Sequence, residues 1–344
     1  MRYAPWDENG IMNVTQFPHT TVGIVIKALN EHVHIERAIR SALHATGNMD
    51  ATVVLADSGS TDGTLEIAKS FNIRIVQLAD TSERSCGIGA QLGFQHLDCE
   101  YVYILDGDME LFPDFLRHGI SRLAADPHLA GIAGRVEEHG EGNYEFERRK
   151  ATNDGVVTGP VESLDMGGLY RTDAIRQVGY LTNRNLHSYE EKELAFRLRA
   201  EGFRLERIAE PAVRHFGKTQ TTGTLLAARW RSHHLDGPGE LLRAGWGTAW
   251  FLSAVRLFWR PIAVVMSWVA FAISLLVMPW IVWLPLVALM FQALLFAIFL
   301  RRTRSVTIAG VAFLNLQVVA LSLARGLFRR QKPPRDNVAS VVLA

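Results

Sequence analysis

Residues 101–110 read YVYILDGDME, a run of strand-forming side chains that ends in two carboxylates, Asp106 and Asp108, on either side of a glycine. In an extended chain residues i and i+2 face the same side, so both carboxylates would project together from the carboxyl end of a strand. Ligands collect at such strand ends in α/β sheets. Asp-Gly-Asp is also a turn-forming sequence, and the pattern alone leaves that reading open. A second acidic pair, Glu190-Glu191, opens the stretch EEKELAFRLRAEG. A carboxylate there could accept the proton of an attacking hydroxyl; equally, acids in the first turn of a solvated helix are favoured by the helix dipole.

These groups need a scaffold. Apolar runs at 21–29, 51–57, 73–78 and 101–106 predict short strands buried on both sides. Helical patterns at 33–45, 64–71, 87–97 and 113–125 fill the gaps. The alternation predicts an α/β fold with a mostly parallel sheet and helices on both faces. Its strand ends would bring Asn30-Glu31, Asp57, the turn region with Arg84, and Asp106/Asp108 to one edge. Asp62 is most simply a turn or cap residue before TLEIAKSF. CGIGAQLG, with Gly87, Gly89 and Gly93, is one residue too long for a dinucleotide fingerprint and reads as a helix packed closely on its neighbours. The first strand runs into KALNEH, without the glycine-rich phosphate loop expected of a nucleotidyltransferase. The polar stretch 139–163 reads as a mobile surface segment.

With 36 basic and 35 acidic side chains among 344 residues, the formal net charge is +1, and no global field points to nucleic acid. Cys86 and Cys99 provide neither a disulfide framework nor a metal-ligand spacing, which fits a reducing compartment. The first twenty residues lack the apolar stretch of a signal peptide, so the front of the chain is expected in the cytosol.

From Pro261 to Leu300 there is no charged residue, roughly twice the ~20 residues one membrane helix needs. Two crossings fit, with Pro279 and Pro285 supplying the turn and Trp280 and Trp283 suiting a headgroup boundary. Arg256 and Arg260 before the pair, and Arg301, Arg302 and Arg304 after it, place both ends of this hairpin on the cytosolic side. The apolar segment Ser305–Leu323 contains Asn315 and Gln317 and is followed by Arg325, Arg329, Arg330, Lys332 and Arg335. Charge on both sides favours an interfacial or re-entrant helix there over a third span, and WGTAWFLSAVRLFWR (246–260) reads as another interfacial helix. The expected organisation is an extension at 1–20, a catalytic domain at 21–240, an interfacial helix at 241–260, a transmembrane hairpin at 261–300, and a third segment with a basic tail at 301–344.

The ordered set ALNE, LADSGSTDGT, LDGD, MGGLYRTDAIRQVGYL and EEKELAFRLRAEGFRL resembles the family 2 glycosyltransferases, inverting enzymes of GT-A fold, over roughly residues 20–215. The resemblance implies that Asn30, Glu31 and Asp57 lie in the base and ribose pocket of a UDP- or GDP-sugar and that Arg84 faces its diphosphate. It places Asp106 and Asp108 at the aspartate-x-aspartate motif, with Asp108 binding Mg²⁺ or Mn²⁺ directly, and His215 where some members supply a further metal ligand. Glu191 takes the position of the catalytic base, usually Asp, with Glu190 as the competing neighbour. Arg229-Trp230 stand where many membrane-bound members have Gln-x-x-Arg-Trp; the glutamine position here is Leu226, which weakens the case for processive polymer synthesis. Carboxylates offer the hard oxygen ligands such a cation takes, and a cation there can stabilise a diphosphate leaving group. The implied activity is transfer of a sugar, with inversion, to a lipid or lipid-linked acceptor at the cytosolic membrane face. A nucleotidyltransferase and a non-catalytic membrane scaffold are the competing readings.

Overall fold

The computed structural model describes residues 19–139, 158–217, 222–277 and 283–344. The expected N-terminal extension, most of the polar stretch at 139–163, and Pro279 and Trp280 of the expected turn lie outside the described residues. The chain divides into two compact units, 1–228 together with 331–344, and 229–330.

In the first unit, strands β1 (His19–Ala28), β2 (Ala51–Asp57), β3 (Arg74–Leu78) and β4 (Asp98–Asp106) alternate with helices α1 (Ile35–Thr46), α2 (Thr64–Ala68) and α3 (Cys86–Phe94). β1 pairs in parallel with both β2 and β4, and β2 in parallel with β3. From Val22 to Ile26 all side chains of β1 are buried, because helices cover both faces of the sheet. On one side α1 buries Ile35, Ala38, Ile39, Ala42 and Ala45, the spacing of a single helical face. Truncating Ile39 there to alanine would cost about 2–5 kcal/mol. On the other side lies α3, whose glycines permit close approach: a Cβ at Gly93 would lie 2.4 Å from a Val25 methyl, and one at Gly87 2.0 Å from the Asn183 carbonyl oxygen.

The remaining elements of this unit are β5 (Met109–Leu111), α4 (Phe115–Ala124), β6 (Leu129–His139), β7 (Gly159–Val161), β8 (Gly168–Arg171), α5 (Thr172–Val178), α6 (Glu190–Ala200) and β9 (Arg204–Phe216). With a last strand, β10 (Ser340–Val342), they complete a ten-stranded sheet of order β10-β3-β2-β1-β4-β8-β6-β9-β5, with β7 against β9. Strand order reverses between β1 and β4, and at such a switch point a crevice opens beyond the carboxyl ends of the strands.

β10 corrects the reading of the C-terminus as only a basic tail. It pairs antiparallel with β3, and the tail is fixed to the unit through bonds between Gln95 and the Val338 backbone, and from Arg184 to the carbonyls of Asp336 and Asn337. Three strand residues between a charged stretch and the chain end carry too short an alternation to be recognised.

The second unit begins with the last three residues of α7 (Thr222–Arg231), then contains α8 (Gly237–Ala244), α9 (Phe251–Leu257), α10 (Trp259–Val277), α11 (Trp283–Thr303) and α12 (Val306–Phe328). Pro285–Thr303 and Val306–Phe328 are each long and apolar enough to cross a membrane, with mean hydropathy 1.7 and 2.0. α9 and α10 pass that test only together and are bent by 81°. The segment expected to lie at the interface is therefore a continuous helix of spanning length. Gln317, one of the two polar residues within this segment, is satisfied between helices: it accepts from the Trp268 indole of α10 and donates to Gln292 of α11, which in turn donates to Ser267. Polar side chains use this kind of interhelical bonding where water is excluded. Trp259, Met290, Leu314 and Leu321 are exposed on the outside of this unit, as lipid-facing side chains are.

Candidate active site

β1, β2 and β4 end at Ala28, Asp57 and Asp106, and the loops that follow meet at the switch point. Asn30 adopts a left-handed φ of 56°, which asparagine tolerates, and joins two of these loops: its amide carbonyl accepts from the Thr61 N–H and its own N–H donates to Ser60. Glu31 opens the turn into α1, and its side chain packs on Gly107 so closely that a Cβ there would lie 3.1 Å from its Cγ. Asp57 is fully buried and accepts from the N–H groups of Gly59 and Ser60 and from Gln77. The Arg84 guanidinium donates to the carbonyls of Ser58 and Gly59. Asp57 and Arg84 thus fix the shape of the loop after β2 from opposite polarities.

Asp106 and Asp108 leave the end of β4 toward different partners. Asp106 Oδ1 lies 2.8 Å from Lys27 Nζ. The turn between them is tied to β1 by the Gly107 N–H, which donates to the Lys27 carbonyl at 2.9 Å. β5 then pairs antiparallel with β9, setting Met109 opposite His215. His215 Nε2 consequently lies 3.6 Å from Asp108 Oδ2, and its Nδ1 lies 2.9 Å from Glu138 of the neighbouring strand β6. Burial lowers the basicity of this imidazole, but the two carboxylates outweigh it and push its pKa up to about 9.

α6 begins after Tyr189, which is itself left-handed at φ 67°, and carries three acids in its first turn, Glu190, Glu191 and Glu193. Glu190 Oε1 lies 3.4 Å from Lys27 Nζ. Glu191 has a buried Oε2 with no hydrogen-bond partner among the described residues. Desolvation raises its pKa well above the ordinary carboxylate range; Lys27 pulls the other way, and Glu190, Asp106 and Asp165 add to the rise. The hydroxyls of Tyr103 and Tyr170 are also buried without a partner among the described residues, and the charge of Glu191 adds to the burial that raises the pKa of both. Asp106 and Glu190 therefore share one lysine, Lys27.

Arg229 and Trp230 lie on α7 in the second unit, where the Arg325 guanidinium stacks 4.2 Å from the Trp230 ring centroid. Sequence reasoning missed Lys27 and Glu138. Lys27 did leave a signal, a lone charge in the otherwise apolar run from Val22 to Ala28. Glu138 left none, because it meets His215 only through the non-local β6–β9 register.

Residues 23–184 match the glycosyl transferase family 2 profile. The chain is 28% identical to the succinoglycan biosynthesis protein ExoA of Rhizobium meliloti (strain 1021) over 211 residues, 56% of this chain and 62% of ExoA. It is 23% identical to glucomannan 4-beta-mannosyltransferase 2 of Arabidopsis thaliana over 318 residues, 83% of this chain and 58% of that protein. It thus spans less than two thirds of the length of both relatives. Among solved structures, the mannosyltransferase PcManGT from Pyrobaculum calidifontis, in complex with GDP-Man and Mn²⁺, superposes with a TM-score of 0.54 at 16% identity, covering 92% of this chain and 91% of that one. That likeness extends to the fold, a GT-A sheet with its helices.

Proposed function

We propose that the chain is a family 2 glycosyltransferase, as the match over residues 23–184 supports, and that it moves the sugar of a nucleotide sugar, with inversion, to a lipid-linked acceptor at the cytosolic membrane face. The observation that carries this reading is the convergence at the β1/β4 switch point of Asp106 with Glu190 through Lys27, next to a Glu191 carboxylate oxygen left without a partner.

Asn30, Glu31 and Asp57 hold the nucleoside on this reading, with Arg84 shaping the loop toward the diphosphate. Asp108 and His215 are the groups for a divalent cation, Mg²⁺ or Mn²⁺, with Asp106 beside them. Their Oδ2 and Nε2 are 3.6 Å apart, close enough to share one ion. Among the described residues no group of three or more acid, histidine or cysteine side chains forms a complete site. A carboxylate and an imidazole without a third ligand fit a hard cation that keeps waters and takes phosphate oxygens from its substrate. When bound, such a cation offsets the charge that develops on the leaving diphosphate. Glu191 takes the proton of the acceptor hydroxyl; a carboxylate raised toward neutrality is better matched to that task than an ordinary one.

The apolar exteriors of α11 and α12 motivate a membrane-borne acceptor. From their place in the sequence, Arg229 and Trp230 are proposed to contact the diphosphate or the acceptor sugar. The test is product analysis with a membrane lipid extract and a panel of UDP- and GDP-sugars. Nucleoside diphosphate release with sugar appearing in the lipid fraction is expected. Pyrophosphate release would indicate a nucleotidyltransferase, and no turnover with any donor would indicate a scaffold.

A further inference from the structure

Between Val22 and Ala28 the strand β1 is apolar except for Lys27. Taking an ammonium ion out of water costs several kcal/mol, so a lysine in such a place requires acidic partners. Lys27 has two, and they come from separate elements: Asp106 at the end of β4, 2.8 Å from Nζ, and Glu190 at the start of α6, 3.4 Å away. Its stem and backbone are enclosed as well. A Cβ at Gly89 of α3 would touch the Lys27 side chain at 3.4 Å, and one at Gly107 would lie 3.1 Å from its carbonyl oxygen. The ammonium is therefore held at one point, and α6 is anchored to the strand end that carries the aspartates. Glu190 and Glu191 are neighbours in sequence with different situations: the first faces the lysine, while the second has an oxygen with no partner.

We propose that Lys27 is a positioning residue that holds Glu190 to Asp106 and thereby presents Glu191, rather than Glu190, as the available carboxylate on the acceptor side of the site. The proposal deepens the glycosyl-transfer reading and rests on it for the role of Glu191, but the placement of the two glutamates can be tested without turnover.

Carbodiimide with glycine ethyl ester is applied to the full-length protein in detergent, and the α6 peptide is sequenced by mass spectrometry. In the wild type Glu191 is modified and Glu190 protected; in Lys27→Met, which keeps an unbranched apolar stem, Glu190 becomes modified too. Turnover is measured alongside, by nucleoside diphosphate release from UDP-glucose and GDP-mannose. Lys27→Met is expected to lower kcat by about 10²-fold, the cost of a small misplacement of a reacting group, with donor KM little changed. In the Glu190→Gln background, which removes the surplus charge and safeguards folding, the same change costs much less, because both substitutions act through one contact. Equal modification of Glu190 and Glu191 in the wild type, or an unchanged pattern in Lys27→Met, overturns the positioning role even if transfer proceeds. The expected labelling pattern without turnover of either donor supports that role and counts against the reaction instead.

Discussion

His215 stands between two carboxylates, its Nε2 3.6 Å from Asp108 Oδ2 and its Nδ1 2.9 Å from Glu138 Oε2. A histidine whose far nitrogen is fixed by an acid has its near nitrogen aimed, and this is how outer carboxylates orient metal-ligating imidazoles.

That geometry predicts a graded loss of cation affinity. Asp108→Asn should remove metal-dependent donor binding while leaving the fold intact, since the charge is lost at a strand end. Glu138→Gln should weaken Mn²⁺ binding by about 10–100-fold, the usual effect of removing an orienting partner. Calorimetric titration of Mn²⁺ in the presence of nucleotide measures both, and unchanged affinity in Asp108→Asn contradicts the assignment.

β10 constrains the membrane segment through connectivity alone. The chain leaves the first unit after Ala228 and rejoins it at Gln331, and β10 is hydrogen-bonded into the same sheet as β3. A sheet cannot straddle a bilayer, so residues 229–330 should enter and leave from one face with an even number of crossings. Impermeant-thiol labelling of single cysteines placed before 228 and after 331 should give the same result at both positions in intact cells, with both protected. A tail labelled from outside would mean an odd number of spans.

Much of the first half was legible in the sequence because its signals are local. β1, β2 and β4 each contain an apolar run buried on both faces, at 22–26, 53–56 and 101–105, and α1 repeats its buried face every three or four residues. Asp106 and Asp108 could be placed at a strand end for the same reason. What escaped is what depends on pairing between distant segments. Glu138 meets His215, and Lys27 meets Glu190, only after β6 joins β9 and α6 docks near β1. The third apolar helix was hard to place because positive charge flanks it on both sides, and the partners of its Gln317, Trp268 and Gln292, lie on other helices.

His96 makes stability fall with acid. Burial, helped by the charge of Arg74, lowers its pKa from 6.5 to about 4, and its Nε2 lies 2.9 Å from Ser340 of β10. The folded state therefore holds the neutral ring, while the unfolded chain takes up a proton below pH 6.5. Stability from this group is complete above pH 6.5, declines as pH falls toward 4, and is lost below that, a change of about 3 kcal/mol. Wild type should lose more stability than His96→Asn between pH 7 and pH 5 in thermal unfolding of the detergent-solubilised protein. Parallel losses would mean that His96 does not carry this dependence.

The roles of the acids separate most directly in Glu191→Gln, an almost isosteric change at the carboxylate whose Oε2 has no partner. If Asp106 and Asp108 serve the donor and Glu191 deprotonates the acceptor, this variant keeps nucleotide-sugar affinity by calorimetry and loses kcat by about 10²–10⁴-fold. Glu190→Gln, measured beside it, should lose less. A Glu191→Gln enzyme with near-normal kcat would contradict the account, because the proton would then have to go elsewhere.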